Sequence, residues 1–199
     1  MFKVLAGLVC LLAIATLANA SITGVNLASD GDGAIICDTA WDQAELVNVI
    51  GNQYWGPGHI EGTILASSPA DPNLILHNVI DNDTTFAWTS YQVNVYLPVD
   101  FSVSTIIAYD PAGSSGALVQ APTYGTWDID GTSVDAYKAT ILYTPGTPVA
   151  VGGAFEYRYK LTFEGATSYQ FTQEMIPLPE PATMALLALG GLAMLKRRK

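Results

Sequence analysis

The sequence predicts an all-β protein, an antiparallel β-sandwich of about nine strands with an apolar helix at each end of the chain. Three observations carry that expectation. Apolar and polar residues alternate at period two, so each strand has one dry and one wet face. Gly, Pro and Asp clusters punctuate the chain roughly every 8 to 15 residues, the spacing of short strands joined by turns. Only one stretch of the body shows helical spacing.

The clearest strand is 155–163, where Phe155, Tyr157, Tyr159, Leu161 and Phe163 share one face and Glu156, Arg158, Lys160 and Thr162 the other. The same alternation places Tyr91, Val93, Val95 and Leu97 together, and likewise Phe101, Val103, Thr105 and Ile107. Further strands are predicted at 137–143 and 169–171, with turns at 97–100, 110–116, 144–146 and 164–166. Earlier strands are expected at 21–27, 34–37, 60–66 and 74–80. Residues 41–50 predict a helix, because Trp41, Ala44, Leu46, Val47 and Ile50 approximate a 3.6-residue stripe behind Asp38 or Thr39 as cap. The Val-Asn-Val-Ile run within it also suits a strand.

The two ends divide the chain into residues 1–20, 21–176 and 177–199. Lys3 followed by the apolar run 4–17 and the small-residue site Ala18-Asn19-Ala20 has the form of a secretory signal helix read by the Sec export machinery, with cleavage after Ala20. At the other end, 182–195 is an apolar run of 14 residues, about 21 Å long as a helix against a hydrocarbon core of about 30 Å. Lys196, Arg197, Arg198 and Lys199 follow it. Those cations favour leaving the terminus in the cytoplasm, and local bilayer thinning accommodates a short transmembrane helix.

Pro179-Glu180-Pro181, then an apolar helix, then a basic cluster at the chain's end resembles the PEP-CTERM sorting signal over residues 179–199. The resemblance implies recognition by an exosortase, a membrane-embedded transpeptidase-like enzyme that cuts near the motif, in bacteria that have an outer membrane and make exopolysaccharide. The physical character of the segment agrees. Its prolines fix φ and bar a helix before Ala182, which predicts that 177–181 stays extended, free of backbone pairing and presentable to a cleft. A stiff spacer above a passive anchor would use the same residues. The stretch 81–91, an Asn-Asp-Thr turn feeding an aromatic strand, is similar to segments in the bodies of other proteins of this kind.

Between residues 21 and 176 only Lys138, Arg158 and Lys160 face seventeen acidic residues. A surface that negative repels nucleic acid and anionic lipid, and attracts divalent cations. With Cys10 in the signal segment, Cys37 is alone in the body, so no internal disulfide forms and packing must hold the fold. Its apolar surroundings suit a small buried hydrophobe.

No catalytic residues are assigned. His59 and His77 sit in no nucleophile, metalloprotease or Cys-His context, and His77 within an apolar strand suits a structural role. Calcium is the candidate cofactor. Asp30 and Asp32, then Asp128 and Asp130, pair carboxylates two residues apart with a glycine, and 81–83 adds a third cluster. None has the full EF-hand pattern, and ordinary Asp-Gly turns explain the same residues. Trp55, in the aromatic loop 53–59, is the candidate glycan contact. The expectation is an exported, non-enzymatic surface or matrix protein, held by its C-terminal helix until exosortase acts and associated with exopolysaccharide. Its rivals are a secreted carbohydrate-active hydrolase and a permanently membrane-anchored protein.

Overall fold

A computed structural model describes residues 20–42, 45–163 and 165–180. The signal segment up to residue 19 and the apolar run 182–195 lie outside these. Among the described residues eleven strands follow one another: β1 (Ile22–Ser29), β2 (Ile35–Trp41), β3 (Leu46–Gln53), β4 (Gly58–Ala66), β5 (Asn73–Asn82), β6 (Trp88–Leu97), β7 (Phe101–Asp110), β8 (Ser115–Ile129), β9 (Thr132–Thr144), β10 (Ala154–Phe163) and β11 (Ser168–Pro179). They form a six-stranded sheet of order β1-β4-β11-β6-β9-β8 and a five-stranded sheet of order β2-β3-β5-β10-β7. All pairings are antiparallel except β3 with β5.

The two strands beyond the expected nine were hidden for different reasons. In place of the helix predicted over 41–50, β2 runs to Trp41 and β3 begins at Leu46. Val47 and Val49 are buried while Ile50 is exposed, a two-residue alternation enforced by pairing with β2 on one side and β5 on the other. β-branched residues fit that pleated site better than a helix. β8 is an edge strand, hydrogen-bonded in its sheet only to β9. It buries little, so no alternation marks it, and its register shift between Gln120 and Thr123 accommodates Pro122.

Aromatics from both sheets fill the interior. Phe155, Tyr157, Tyr159, Leu161 and Phe163 of β10 are all buried, facing Tyr91, Val93 and Val95 of β6. Tyr91 lies 5.6 Å from both Phe155 and Tyr157. The expected face of β7 is only half right. Phe101 and Val103 pack inward, but Thr105 takes a φ of 50° at a bulge opposite Arg158 and Lys160. The bulge turns Ile106 and Ala108 toward the core in place of Thr105 and Ile107. Buried amides tie the sheets together: Gln53 of β3 donates to the Met175 carbonyl of β11 at 2.9 Å and accepts from the Tyr91 hydroxyl.

β11 also corrects the expected connector at the end of the body. Pro177 lies opposite Tyr91, Leu178 opposite Ser90 and Pro179 opposite Trp88, so the chain is extended there but not free of pairing. The pairing of β11 with β4 stops at Met175 opposite Gly58. Pro177 and Pro179 therefore fall where the strand has one neighbour, and a missing N–H interrupts no second ladder.

Candidate functional site

On the outer face of the six-stranded sheet, polar residues line up across the strands. Glu174 stands opposite His59 of β4 on one side and Asn94 of β6 on the other, and Asn94 stands opposite Thr140 of β9. Asp30, just past β1, completes the row through its backbone N–H, which donates to the His59 carbonyl at 3.2 Å. Outward-facing positions are ordinarily wet, yet His59, Asn94 and Thr140 are all buried. The end of the β8–β9 hairpin contributes the cover, with Ile129 and Ala136 packed against Tyr96.

The row is held by charge-assisted contacts. His59 Nδ1 lies 3.2 Å from Asp30 Oδ2, and its Nε2 lies 3.7 Å from Glu174 Oε1, too far for a hydrogen bond. Glu174 Oε2 accepts from Asn94 Nδ2 at 2.6 Å and from the Tyr96 hydroxyl at 2.8 Å. Asn94 Oδ1 in turn accepts from the Thr140 hydroxyl at 2.8 Å. Burial alone would push the Glu174 carboxyl up, but His59, Asn94 and Tyr96 outweigh it and hold the pKa at about 2. The Glu174 carboxylate correspondingly raises the pKa of His59 against the effect of burial, and Asp30 adds to the rise.

Three of the four candidate calcium ligands, Asp30, Asp32 and Asp130, lie at this end of the sheet. Asp30, Asp32 and His59 each offer a ligand atom within 4.8 Å of the others. The Asp32 N–H donates to Asp30 Oδ1, and the Ala34 N–H donates to Asp32 Oδ1 at 2.7 Å, which fixes both carboxylates in the loop. Asp130 reaches the same region from the β8–β9 turn. With Glu61, Thr132 and Thr172, it and Asp30 line a cleft of about 350 Å³. Asp128 is spent on the turn itself, accepting the Gly131 N–H at 2.8 Å. The 81–83 cluster is turn chemistry too: Asn82 Oδ1 accepts the Thr84 N–H and Asp83 accepts from Asn52.

Trp55 is 54% exposed in the loop between β3 and β4. A Cβ added to Gly33 would come within 3.2 Å of its ring, so the aromatic sits directly beside the Asp30–Asp32 loop. Tyr54 stands next to it, ring centroids 6.4 Å apart. His77 is engaged structurally, between Asn48 at 3.1 Å and Glu156 at 2.9 Å. Burial pushes the Cys37 thiol up to about 11, which leaves it protonated and a poor nucleophile.

His59 and Glu174 were not singled out by the sequence. His59 looked like the end of an aromatic loop and Glu174 like the start of a connector, whereas both are strand residues that meet only across the β4–β11 ladder. Glu174 did carry a signal: it lies on the polar side of the alternation Tyr169, Phe171, Gln173, Met175.

Beyond this site lies the segment into which β11 runs. Residues 177–199 match the family model of the PEP-CTERM protein-sorting motif. The chain carries a PEP-CTERM sorting signal. It is thereby an exported protein processed by exosortase, its processing partner. No curated protein and no solved structure matches the chain. The PEP-CTERM match begins at Pro177 while β11 ends at Pro179, so the last three residues of the strand are also the first three of the motif.

Proposed function

We propose that the β-sandwich is a non-catalytic binding module of the cell surface or extracellular matrix, holding to exopolysaccharide through Trp55. The observation that carries this reading is an exposed Trp55, flanked by Tyr54, projecting beside an acidic loop on a protein addressed to the envelope. A flat aromatic ring stacks on the apolar face of a sugar, and nearby carboxylates accept its hydroxyls. The apolar run 182–195 holds the chain in the membrane until exosortase acts, after which the sandwich is released or transferred.

Two measurements test the two halves of the proposal. Intact mass of the exported protein from a strain with active exosortase should show loss of residues 182–199; their persistence there would establish a permanent anchor instead. Trp55→Ala should weaken retention on the cell's own polysaccharide about three- to tenfold, the worth of one aromatic contact, with the melting temperature unchanged. Equal retention by the variant refutes the sugar contact. The cleft lined by Asp30, Glu61 and Asp130 is the one observation that favours a hydrolase. New reducing ends released from that polysaccharide, and lost in Glu61→Gln, would establish it in place of the binding reading.

A further inference from the structure

We infer that Asp30, Asp32 and His59 form a binding site for a divalent transition metal of the zinc type, in place of the calcium site that the two aspartates alone suggested. This stands independently of the sugar-binding proposal. The donor set decides the ion. Calcium takes six to eight oxygens and has little use for an imidazole, whereas zinc binds nitrogen and carboxylate oxygen with few ligands. One nitrogen and two carboxylates within 4.8 Å of one another form three sides of such a site, and the exposed side of the loop leaves the remaining position to water.

His59 supplies the evidence beyond the acidic loop. Its side chain is 4% exposed, an expensive position for an imidazole, and its Nε2 is a buried nitrogen with no hydrogen-bond partner. Nδ1, aimed at the aspartate pair, lies 3.2 Å from Asp30 Oδ2, the separation of two atoms that share an ion at about 2.0–2.2 Å each. A histidine bound through one nitrogen characteristically points the other toward a carboxylate, which fixes its tautomer and raises its basicity. Glu174 stands on that side at 3.7 Å, itself oriented by Asn94 and Tyr96. Glu174 is thus a positioning residue, and a small closing of the His59–Glu174 gap gives Nε2 the partner it lacks. A metal ion takes the place of the proton between His59 and Asp30.

The test uses the full exported protein, stripped with a chelator and dialysed against Zn²⁺ with Ca²⁺ as competitor. One zinc per chain is expected, retained in a hundredfold excess of Ca²⁺. Asp32→Asn should lower zinc affinity at least tenfold while the stripped protein melts as before, because the asparagine oxygen still accepts the Ala34 N–H. His59→Gln should lose zinc equally; should it fail to fold, Asp32→Asn decides alone. Asp128→Asn, a turn residue, should bind zinc normally. Absence of retained zinc, displacement by equimolar Ca²⁺, or unchanged affinity in Asp32→Asn would each overturn the site and leave Asp30–His59–Glu174 as a purely structural row.

Discussion

Trp88→Ala is expected to lower the free energy of unfolding by about 3–5 kcal/mol, measured by urea denaturation of the exported domain. Trp88 is fully buried, 5.0 Å from the Tyr91 ring, and its indole N–H donates to the Thr84 hydroxyl at 3.1 Å. That hydroxyl also donates to Asn82 Oδ1, while Asn82 Nδ2 donates to the Val149 carbonyl at 2.9 Å. Truncation therefore opens a large cavity and frees a buried hydroxyl acceptor in a network that closes three chain segments. The loss is a large fraction of the stability of a domain this size. It has a local consequence as well, since Trp88 stands opposite Pro179, the first residue of the Pro-Glu-Pro triplet. Trp88→Phe, which keeps most of the volume, should lose far less; equal losses in the two variants would refute the cavity explanation.

Glu174→Ala should cost about 3 kcal/mol, because it leaves the Asn94 amide and the Tyr96 hydroxyl without their acceptor and removes the negative charge beside the buried His59. The pH profile of the chelator-treated protein tests the same contacts without mutation. The Glu174 pKa is held below its ordinary 4.5, at about 2, so its stabilisation is fully present above pH 4.5 and is lost as pH falls toward 2. The His59 pKa is raised above 6.5, so its share is fully present below pH 6.5 and is lost as pH rises through the folded value. These are two views of one interaction and are not added. Wild type should lose about 2 kcal/mol between pH 4.5 and 2, allowing for solvent screening of a partly exposed carboxylate. Glu174→Gln should flatten that limb, and an unchanged acid limb in the variant would place the titrating group elsewhere.

How far the sequence sufficed depends on whether a feature was local. The faces of β6 and β10 were legible because burial on one side of a strand writes itself as alternation, from Tyr91 to Leu97 and from Phe155 to Phe163. β3 was misread because Leu46, Val47 and Ile50 suit a helical stripe while Val47 and Val49 suit a strand face, and its pairing partners, β2 and β5, are what chose between them. β8 was missed because an edge strand hardly needs an apolar face. In the site, Asp30 and Asp32 announced themselves through glycine and spacing, and Trp55 through its loop. The ligand that changes the chemistry, His59, was obscured because only the ladder places it beside Asp30 and Glu174.

The sequence by itself determined the all-β class, the strongest strand faces and the sorting signal, since period-two burial and a linear motif are both written in consecutive residues. Tertiary structure decided which strands neighbour which, that the sorting motif begins inside β11, and that Asp30, His59, Glu174 and Asn94 form one row with His59 and Asn94 buried in it. Those facts rest on pairing between segments as far apart along the chain as His59 of β4 and Glu174 of β11. Cross-strand register joins residues whose separation along the chain carries no signal.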